Sequence, residues 1–215
     1  PELLTLKAVR CIEQCPVLAA PRTAEGRMLA LEIVKGAVDV SDKTILPLHF
    51  AMSRDADTLR ASHEAAAGAV REALDAGQDV AMLNLGDVSI YATYGYLEEI
   101  LKAQGYPTAR IAGVPSFCAA AAALGRSLTD GMEAPLTLAP GRHAEQVLDA
   151  PGAKVLMKSG RQLPAALAAL RRRGLLEKSA MACNCGLPGQ TLWPDLSSYD
   201  PARPAGYFTT IIVKE

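Results

Sequence analysis

The sequence predicts an α/β fold built as two small α/β domains, residues 1–113 and 114–215, with a mostly parallel sheet in the first and a mixed sheet in the second. Three observations lead there. Short apolar runs of β type alternate with longer segments of helical period along the whole chain. Asp79-Val-Ala-Met-Leu-Asn-Leu85 is almost continuously apolar between Gly77 and Gly86, the pattern of a strand buried on both faces of a parallel sheet. Three late β-like runs, Ser179–Cys183, Gln190–Trp193 and Tyr207–Lys214, succeed one another with little helix between them, which favours antiparallel pairing.

From the amino end, Thr5 is a plausible cap for a first helix that buries Leu6, Val9 and Ile12. A second helix is expected over Met28–Val38. Thr44–Leu48 reads as a strand, and Pro47, which has no amide proton, sends it to a sheet edge or makes it irregular. Asp55 and Asp57 open a long helix over Thr58–Asp75, closed by Gly77, with Leu59, Ala66, Val70 and Leu74 along one stripe. A helix over Ala92–Gln104 and a short strand over Ala109–Ala112 complete the first half. The second half is expected to hold helices at Phe117–Leu124, His143–Asp149 and Leu163–Arg173, with strands at Leu136–Ala139 and Lys154–Lys158. The joint between the two halves falls between about Gly113 and Met132.

Composition narrows the function. The net charge of -1 comes from mixed basic and acidic residues, without the Lys/Arg block of a nucleic-acid binder, so no nucleic-acid partner is expected. The longest strongly apolar run, Phe117–Leu124, is mostly alanine and too short to cross a bilayer, so no membrane partner is expected. No basic stretch followed by an apolar one stands at the start. Five cysteines, an odd number, do not suggest a secreted disulfide framework, and a cytoplasmic protein is expected.

Two segments have the form in which α/β sheets bind small ligands. Asn84–Tyr96 leaves a buried strand, turns at Gly86-Asp87 and enters a helix near Ala92. Gly86 lets a ligand approach the backbone, and Ser89 and Thr93 offer hydroxyls at the helix entry; the same residues equally suit a capped glycine turn. Ala112-Gly-Val-Pro-Ser-Phe117 is a second strand–turn–helix passage with Ser116 as a natural cap, and on its own it suits a structural turn better.

Together these segments resemble the tetrapyrrole methylases. Leu-Gly-Asp-Val-Ser-Ile-Tyr91 resembles the family's Gly-Asp-Pro-Ser-Tyr region, with Val88 in place of the usual proline. Gly-Val-Pro-Ser-Phe117 and the later Leu-Gly-Arg-Ser-Leu128 resemble the segment that begins its second domain, with Pro115 where a hydroxyl is common. Pro1–Arg10 is similar to the segment after the family's Gly-Pro-Gly-Asp loop, so that loop and the strand before it are expected upstream of Pro1. Leu-Ala-Leu-Glu-Ile33 and Leu-Pro-Leu-His-Phe-Ala-Met-Ser-Arg-Asp55 resemble the members that methylate carbon 20 of precorrin-2 or its cobalt form. Val-Leu-Met-Lys158 and Tyr-Phe-Thr-Thr-Ile-Ile-Val213 extend the likeness nearly end to end.

The resemblance implies a homodimeric methyltransferase in cobalamin biosynthesis that binds S-adenosyl-L-methionine in a cleft between its two domains. Carried over by position, it implies cofactor contacts at Gly86, Asp87, Ile90, Tyr91, Ala92 and Thr93, at Pro115 and Ser116, and at Met157, Cys185, Gly186, Leu187 and Thr209. Many are expected through backbone atoms. The reaction would be in-line attack by a ring carbon on the sulfonium methyl, with the reacting atoms held about 3–3.5 Å apart. It needs no Ser, Cys or Lys nucleophile, in keeping with the lack of a triad, paired carboxylates or zinc motif in the sequence. For the polycarboxylate tetrapyrrole, Arg27, Arg54 and Arg142 are candidate partners, with His49 beside them. Tyr91 and Tyr94 are candidates for proton removal. A sibling methylase acting on another corrin carbon, on RNA or on protein, and a non-catalytic binding protein on the same fold, remain as alternatives.

Other conspicuous residues have plainer readings. Cys11 and Cys15 share a helix side and Cys183 and Cys185 a strand side, yet without further ligands they read as small buried hydrophobes, and no metal is expected. His63 reads as structural within its helix, and His143 carries no pattern. Arg171-Arg-Arg173 suits the carboxyl end of a helix, and Trp193 a core or interface position.

Overall fold

The computed structural model describes residues 1–203 and 205–214. The chain divides into two compact units, Pro1–Val114 and Pro115–Glu215.

Unit one is a three-stranded parallel sheet between two pairs of helices. Its elements are α1 (Leu6–Gln14), β1 (Val17–Pro21), α2 (Leu29–Lys35), β2 (Thr44–Leu48), α3 (Ala56–Asp75), β3 (Val80–Met82) and α4 (Tyr94–Ala103), with strand order β2-β1-β3. The period of two along β1 decides the layers. Leu18 and Ala20 face Ile12, Leu31 and Val34 of α1 and α2, whereas Ala19 faces Ala66, Val70, Leu97 and Leu101 of α3 and α4. Alanine at positions 19 and 20 lets the flanking helices approach closely. Leu18 and Leu97 are almost fully buried, each burial stabilising by roughly 1.5–3 kcal/mol.

The caps act as the sequence suggests. Thr5 accepts from the Ala8 amide and Asp55 from the Thr58 amide, each satisfying an orphan donor of the first turn. Pro47 lies opposite Ala20 in a β2 that forms the sheet edge, where its missing N–H costs nothing.

Three expectations are corrected, and one strand is added. The central strand β1 does not stand out in the sequence, because Val-Leu-Ala-Ala-Pro21 is short, lacks alternation and sits between prolines 16 and 21. Ala109–Ala112 forms no strand; side-chain hydrogen bonds rather than a ladder hold its backbone. Leu6 is 75% exposed, because Cys11, Ile12 and Cys15 form the buried stripe of α1 and Leu6 falls about 170° round from its middle at 100° per residue. Ser116 is not a cap but the first helical residue of the next helix, with extended Pro115 before it.

Unit two contains α5 (Ser116–Ala123), β4 (Leu136–Pro140), α6 (Ala144–Val147), β5 (Ala153–Met157), α7 (Leu163–Arg172), β6 (Ser179–Cys183), β7 (Thr191–Trp193) and β8 (Thr209–Val213). Its five strands run in the order β4-β5-β8-β6-β7. β4 and β5 are parallel; β8 is antiparallel to both β5 and β6, and β7 to β6. The mixed sheet expected from the closely spaced late runs is present. α6 and α7 cover one face through Leu163, Leu167 and Leu170 against Leu156, Met181 and Ile211, and α5 packs on β8 and β6.

Candidate functional site

Because the three strands of unit one are parallel, all their carboxyl ends leave the same sheet edge. The segments that emerge there carry Arg27 after β1, His49 and Arg54 after β2, and Gly86–Thr93 after β3. This is the edge at which open α/β sheets bind ligands.

The turn after β3 is built around Asp87. Gly86 has φ +73, a left-handed conformation that glycine adopts without strain. One carboxylate oxygen of Asp87 accepts the Ser89 amide at 2.8 Å and the other accepts the Gly113 amide at 2.8 Å. The Gly113 and Ser89 N–H groups hold the carboxyl below its ordinary pKa. Gly113 packs so tightly that a Cβ there would lie 2.2 Å from the Gly86 carbonyl oxygen. The two glycine segments singled out in the sequence thus touch at Gly86, Asp87 and Gly113. The Ile90 amide donates to the Asp87 carbonyl, and Tyr91 is itself left-handed, with φ +50. A non-glycine residue in that conformation is uncommon and is sustained by its surroundings. Thr93 stands as the residue before α4 without using its hydroxyl as a cap.

Residues 108–113 are held to this turn by side chains rather than by a strand ladder. Glu98, buried on α4, accepts from Arg110 Nε at 2.8 Å and pairs with Lys102 at 2.9 Å. Hydrogen bonds from Arg110, then Lys102, bring its carboxyl down to about 2. The Tyr94 hydroxyl donates to the Ala109 carbonyl at 2.9 Å, and Thr5 Oγ1 to the Ala112 carbonyl at 3.2 Å. Burial, then the Glu98 charge, raises the Tyr94 phenol. Tyr94 therefore anchors the chain. Tyr91 is the more exposed tyrosine of the turn.

The corresponding edge of unit two gathers a second set. β5 and β6 run in the same direction, both antiparallel to β8, so Met157, Cys185–Leu187 and the start of β8 at Thr209 share one sheet edge, with Arg142 just past β4. Asn184 (φ +50) and Gly186 (φ +74) form the turn after β6; the Leu187 amide donates to the Asn184 carbonyl and the Gly186 amide to Gln190 Oε1 at 2.7 Å. A Cβ on Gly186 would meet no atom within 4 Å, so this backbone lies open. Met157 is buried, and buried Thr209 donates its hydroxyl to the Gly206 carbonyl at 2.6 Å. Pro115 and Ser116 begin α5. Cys185 lies in the turn rather than on the strand, so it does not share a strand side with Cys183 as the spacing suggested.

The candidate substrate residues differ in their present commitments. Exposed Arg27 is paired with Glu32 at 2.8 Å, while exposed Arg142 donates to His143 Nε2 at 3.0 Å. Exposed His49 offers its carbonyl to Ser62, and Arg54 is exposed at the same edge. His63 stacks on Tyr96 with ring centroids 4.3 Å apart, as a structural histidine. Arg172 and Arg173 pair with Glu145, and Arg173 also with Asp149, so they tie α7 to the neighbouring helix. Trp193 meets Tyr199 edge-on at 5.0 Å and lies under Arg203. Among the described residues no group of three or more metal-ligating side chains occurs, and no helix is long and apolar enough to cross a membrane. A surface concavity of about 460 Å3 beside Glu13, Asp39 and Lys43 lies at the opposite, amino-terminal edge of the unit-one sheet and takes in none of these residues.

Comparison with known proteins places the chain by sequence and by fold. The chain is 31% identical over 221 residues to a cobalt-precorrin-2 C(20)-methyltransferase of Salmonella typhimurium, covering 100% of the chain and 92% of the relative. It is 30% identical to a precorrin-2 C(20)-methyltransferase of Sinorhizobium sp., covering 99% and 90%. Among solved structures, a cobalt precorrin-4 methyltransferase shares the fold at TM-score 0.72 and 15% identity, covering 100% of the chain and 90% of that protein. A uroporphyrin-III C-methyl transferase from Thermus thermophilus, complexed with S-adenyl homocysteine, does so at 0.70 and 17%, covering 100% and 92%. The model of the family described as tetrapyrrole (corrin/porphyrin) methylases matches residues 1–198, and the chain belongs to that family.

Proposed function

We propose that this protein is an S-adenosylmethionine-dependent C-methyltransferase that methylates carbon 20 of precorrin-2 or cobalt-precorrin-2 in cobalamin biosynthesis. The observation that carries this reading is the chain-long likeness to C(20)-methyltransferases, which spans the whole chain and 92% of the Salmonella relative.

The residues present suit such a donor. Gly86 and Gly186 are left-handed glycines, the second with open space where a side chain would stand, so the backbone at both turns can approach a ligand closely. Gly86, Asp87 and Ile90–Thr93 in unit one, and Pro115, Ser116, Met157, Cys185–Leu187 and Thr209 in unit two, are the proposed contacts. When bound, S-adenosylmethionine supplies an electrophilic methyl group on a sulfonium. The chain's part is to position and to exclude water. Both oxygens of Asp87 are engaged by backbone amides, so its side chain fixes the turn. Thr209 likewise orders Gly206 by its hydroxyl. Arg54, Arg142 and His49 would pair with carboxylates of the tetrapyrrole, and Arg27 would do so by exchanging Glu32 for substrate. Tyr91 is proposed to assist removal of the proton released from the ring carbon, which passes to solvent. We further propose a homodimer, on the family resemblance, and a cytoplasmic location, which the five free cysteines favour.

The test is incubation with donor carrying a 13C-methyl group and, in separate anaerobic reactions, precorrin-2 and its cobalt form. A gain of one methyl, located at carbon 20 by NMR, is expected with one or both. A methyl at another carbon assigns a sibling activity, and S-adenosylhomocysteine binding with no transfer to either substrate rejects the enzymatic reading.

A further inference from the structure

The segment between β2 and α3, residues 49–55, carries two of the proposed substrate residues, His49 and Arg54, and it is pinned at both ends. At its start the pin is Ser62, in the second turn of α3. The Ala51 amide donates to Ser62 Oγ at 2.8 Å, and the Ser62 hydroxyl donates to the His49 carbonyl at 3.3 Å. A serine inside a helix ordinarily turns to solvent or bonds back to the carbonyl one turn earlier. Here its oxygen both accepts from and donates to one tripeptide, 11 and 13 residues away in the chain. A single hydrogen bond would leave that tripeptide free to pivot. Two, from one oxygen to either side of residue 50, fix which way it faces.

Phe50, between the two contacts, packs against the buried cluster of Leu48, Ala66 and Leu97, and its ring meets His63 with centroids 6.1 Å apart. With Phe50 held inward, its neighbour His49 is exposed. At the far end Ser53 Oγ accepts the Asp55 amide at 3.0 Å and Asp55 caps α3 through the Thr58 amide, so Arg54 stands exposed on a closed turn. The base of the clasp is itself fixed. His63, next to Ser62, stacks on Tyr96 of α4 with the rings 4.3 Å apart and 9° from parallel, and Ala66, Ala67 and Val70 of α3 pack with Leu97 and Leu101.

We propose that Ser62 is a positioning residue for the methylation: its two-point clasp on residues 49–51 holds His49 and Arg54 ready for carboxylates of the tetrapyrrole. The role rests on the proposed function, in which these two side chains meet the substrate. Without the clasp, the segment has to be ordered when the substrate binds, and affinity falls by the cost of that ordering. The methyl donor, whose proposed contacts lie on other segments, should not feel the change.

The substitution is Ser62→Ala, made in the wild type and in a His49→Gln/Arg54→Gln background. Alanine is the better helix former at an interior position, so α3 is retained, and thermal midpoints check folding. Steady-state kinetics give kcat and KM for whichever of precorrin-2 and its cobalt form the wild type methylates, and calorimetry gives the Kd of S-adenosylhomocysteine. Loss of the clasp corresponds to roughly a five- to ten-fold weakening. Support is a rise of that size in KM with kcat and the Kd of S-adenosylhomocysteine within two-fold, together with a change of under two-fold in kcat/KM when Ser62→Ala is added to the background. A KM within two-fold of wild type in folded Ser62→Ala overturns the role. So does an effect as large in the background as in the wild type, since Ser62 would then act by another route. An equal weakening of S-adenosylhomocysteine, the mark of general loosening, overturns it too. A wild type that methylates neither substrate rejects the function and the positioning role with it, whereas an active wild type with an unmoved KM overturns the role alone.

Discussion

The two units fix their site-edge loops by different means. In unit one the Gly86 turn and residues 108–113 are tied by side chains: Asp87 to Gly113, Glu98 to Arg110, Tyr94 to Ala109 and Thr5 to Ala112. In unit two close glycine packing dominates: Gly141 sits against the hydroxyl and Cα of Ser159 and Gly160 against the Gly206 backbone, whereas unit one has one such contact, Gly113 on the Gly86 carbonyl, beside its side-chain ties. Side-chain ties can be loosened one at a time and respond to pH. Backbone contacts of about 2 Å to an added Cβ admit no partial loosening. The first arrangement suits a loop that adjusts to a ligand, the second a rigid floor.

The largest effect tests the floor. Gly160→Ala would place its Cβ 2.1 Å from the Gly206 oxygen and 2.8 Å from its carbonyl carbon, forcing two loops apart. We expect a loss of about 3 kcal/mol, in the range of overpacking a close-packed interior. Gly113→Ala meets the Gly86 oxygen at a similar 2.2 Å, but its segment hangs on side chains and can move, so the expected loss is nearer 1–2 kcal/mol. Urea unfolding of the two variants ranks them. Equal losses would remove the distinction between the units.

The next effect tests the side-chain ties. Glu98→Gln removes the buried charge that faces Arg110 and Lys102 and should cost about 2 kcal/mol at neutral pH. The pH dependence has a definite sign. A carboxyl held at about 2 when folded, against about 4.3 unfolded, contributes its stability in full above the unfolded value and loses it as pH falls from there toward 2. Asp87, also lowered, adds in the same direction. Wild type should therefore lose more stability than Glu98→Gln between pH 5 and pH 3, in unfolding curves taken at both. Parallel curves would show that the ion pair does not hold the segment.

This contrast also explains what could be read from the residues alone. Side-chain devices leave marks in sequence: Asp55 and Thr5 as caps, Pro47 as an edge residue, and Asp87 after Gly86 as a turn. The late strands were legible because a buried run such as Ser179–Cys183 is apolar after its first residue and bounded by turns. Backbone devices leave fewer marks. β1 is central to unit one, yet Ala19 and Ala20 matter through their smallness, which looks like a connection. Ala109–Ala112 looked like a strand because its composition permits one, while the carboxylate that holds it in another state lies twelve residues away from Arg110. Of the site, the glycine turns and the two sheet edges were visible. The Asp87–Gly113 clasp and the left-handed backbone of Tyr91 were not, since they depend on contacts between distant segments or on a φ angle no residue type announces.

The smallest stability effect sharpens the comparison most. Gly186→Ala adds a Cβ that meets nothing within 4 Å, so its cost is only the left-handed backbone at φ +74, about 1 kcal/mol, or roughly 2–4 °C in Tm for a chain of this size. If the open backbone at Gly186 is where the donor lies against unit two, the same methyl group should weaken S-adenosylhomocysteine binding at least ten-fold, well beyond what the loss of stability accounts for. Calorimetry on a variant that remains folded reads this directly. Binding within two-fold of wild type would mean that the donor does not approach the rigid floor at this turn, and the contacts proposed at Cys185–Leu187 would have to be given up while those around the Gly86 turn stood.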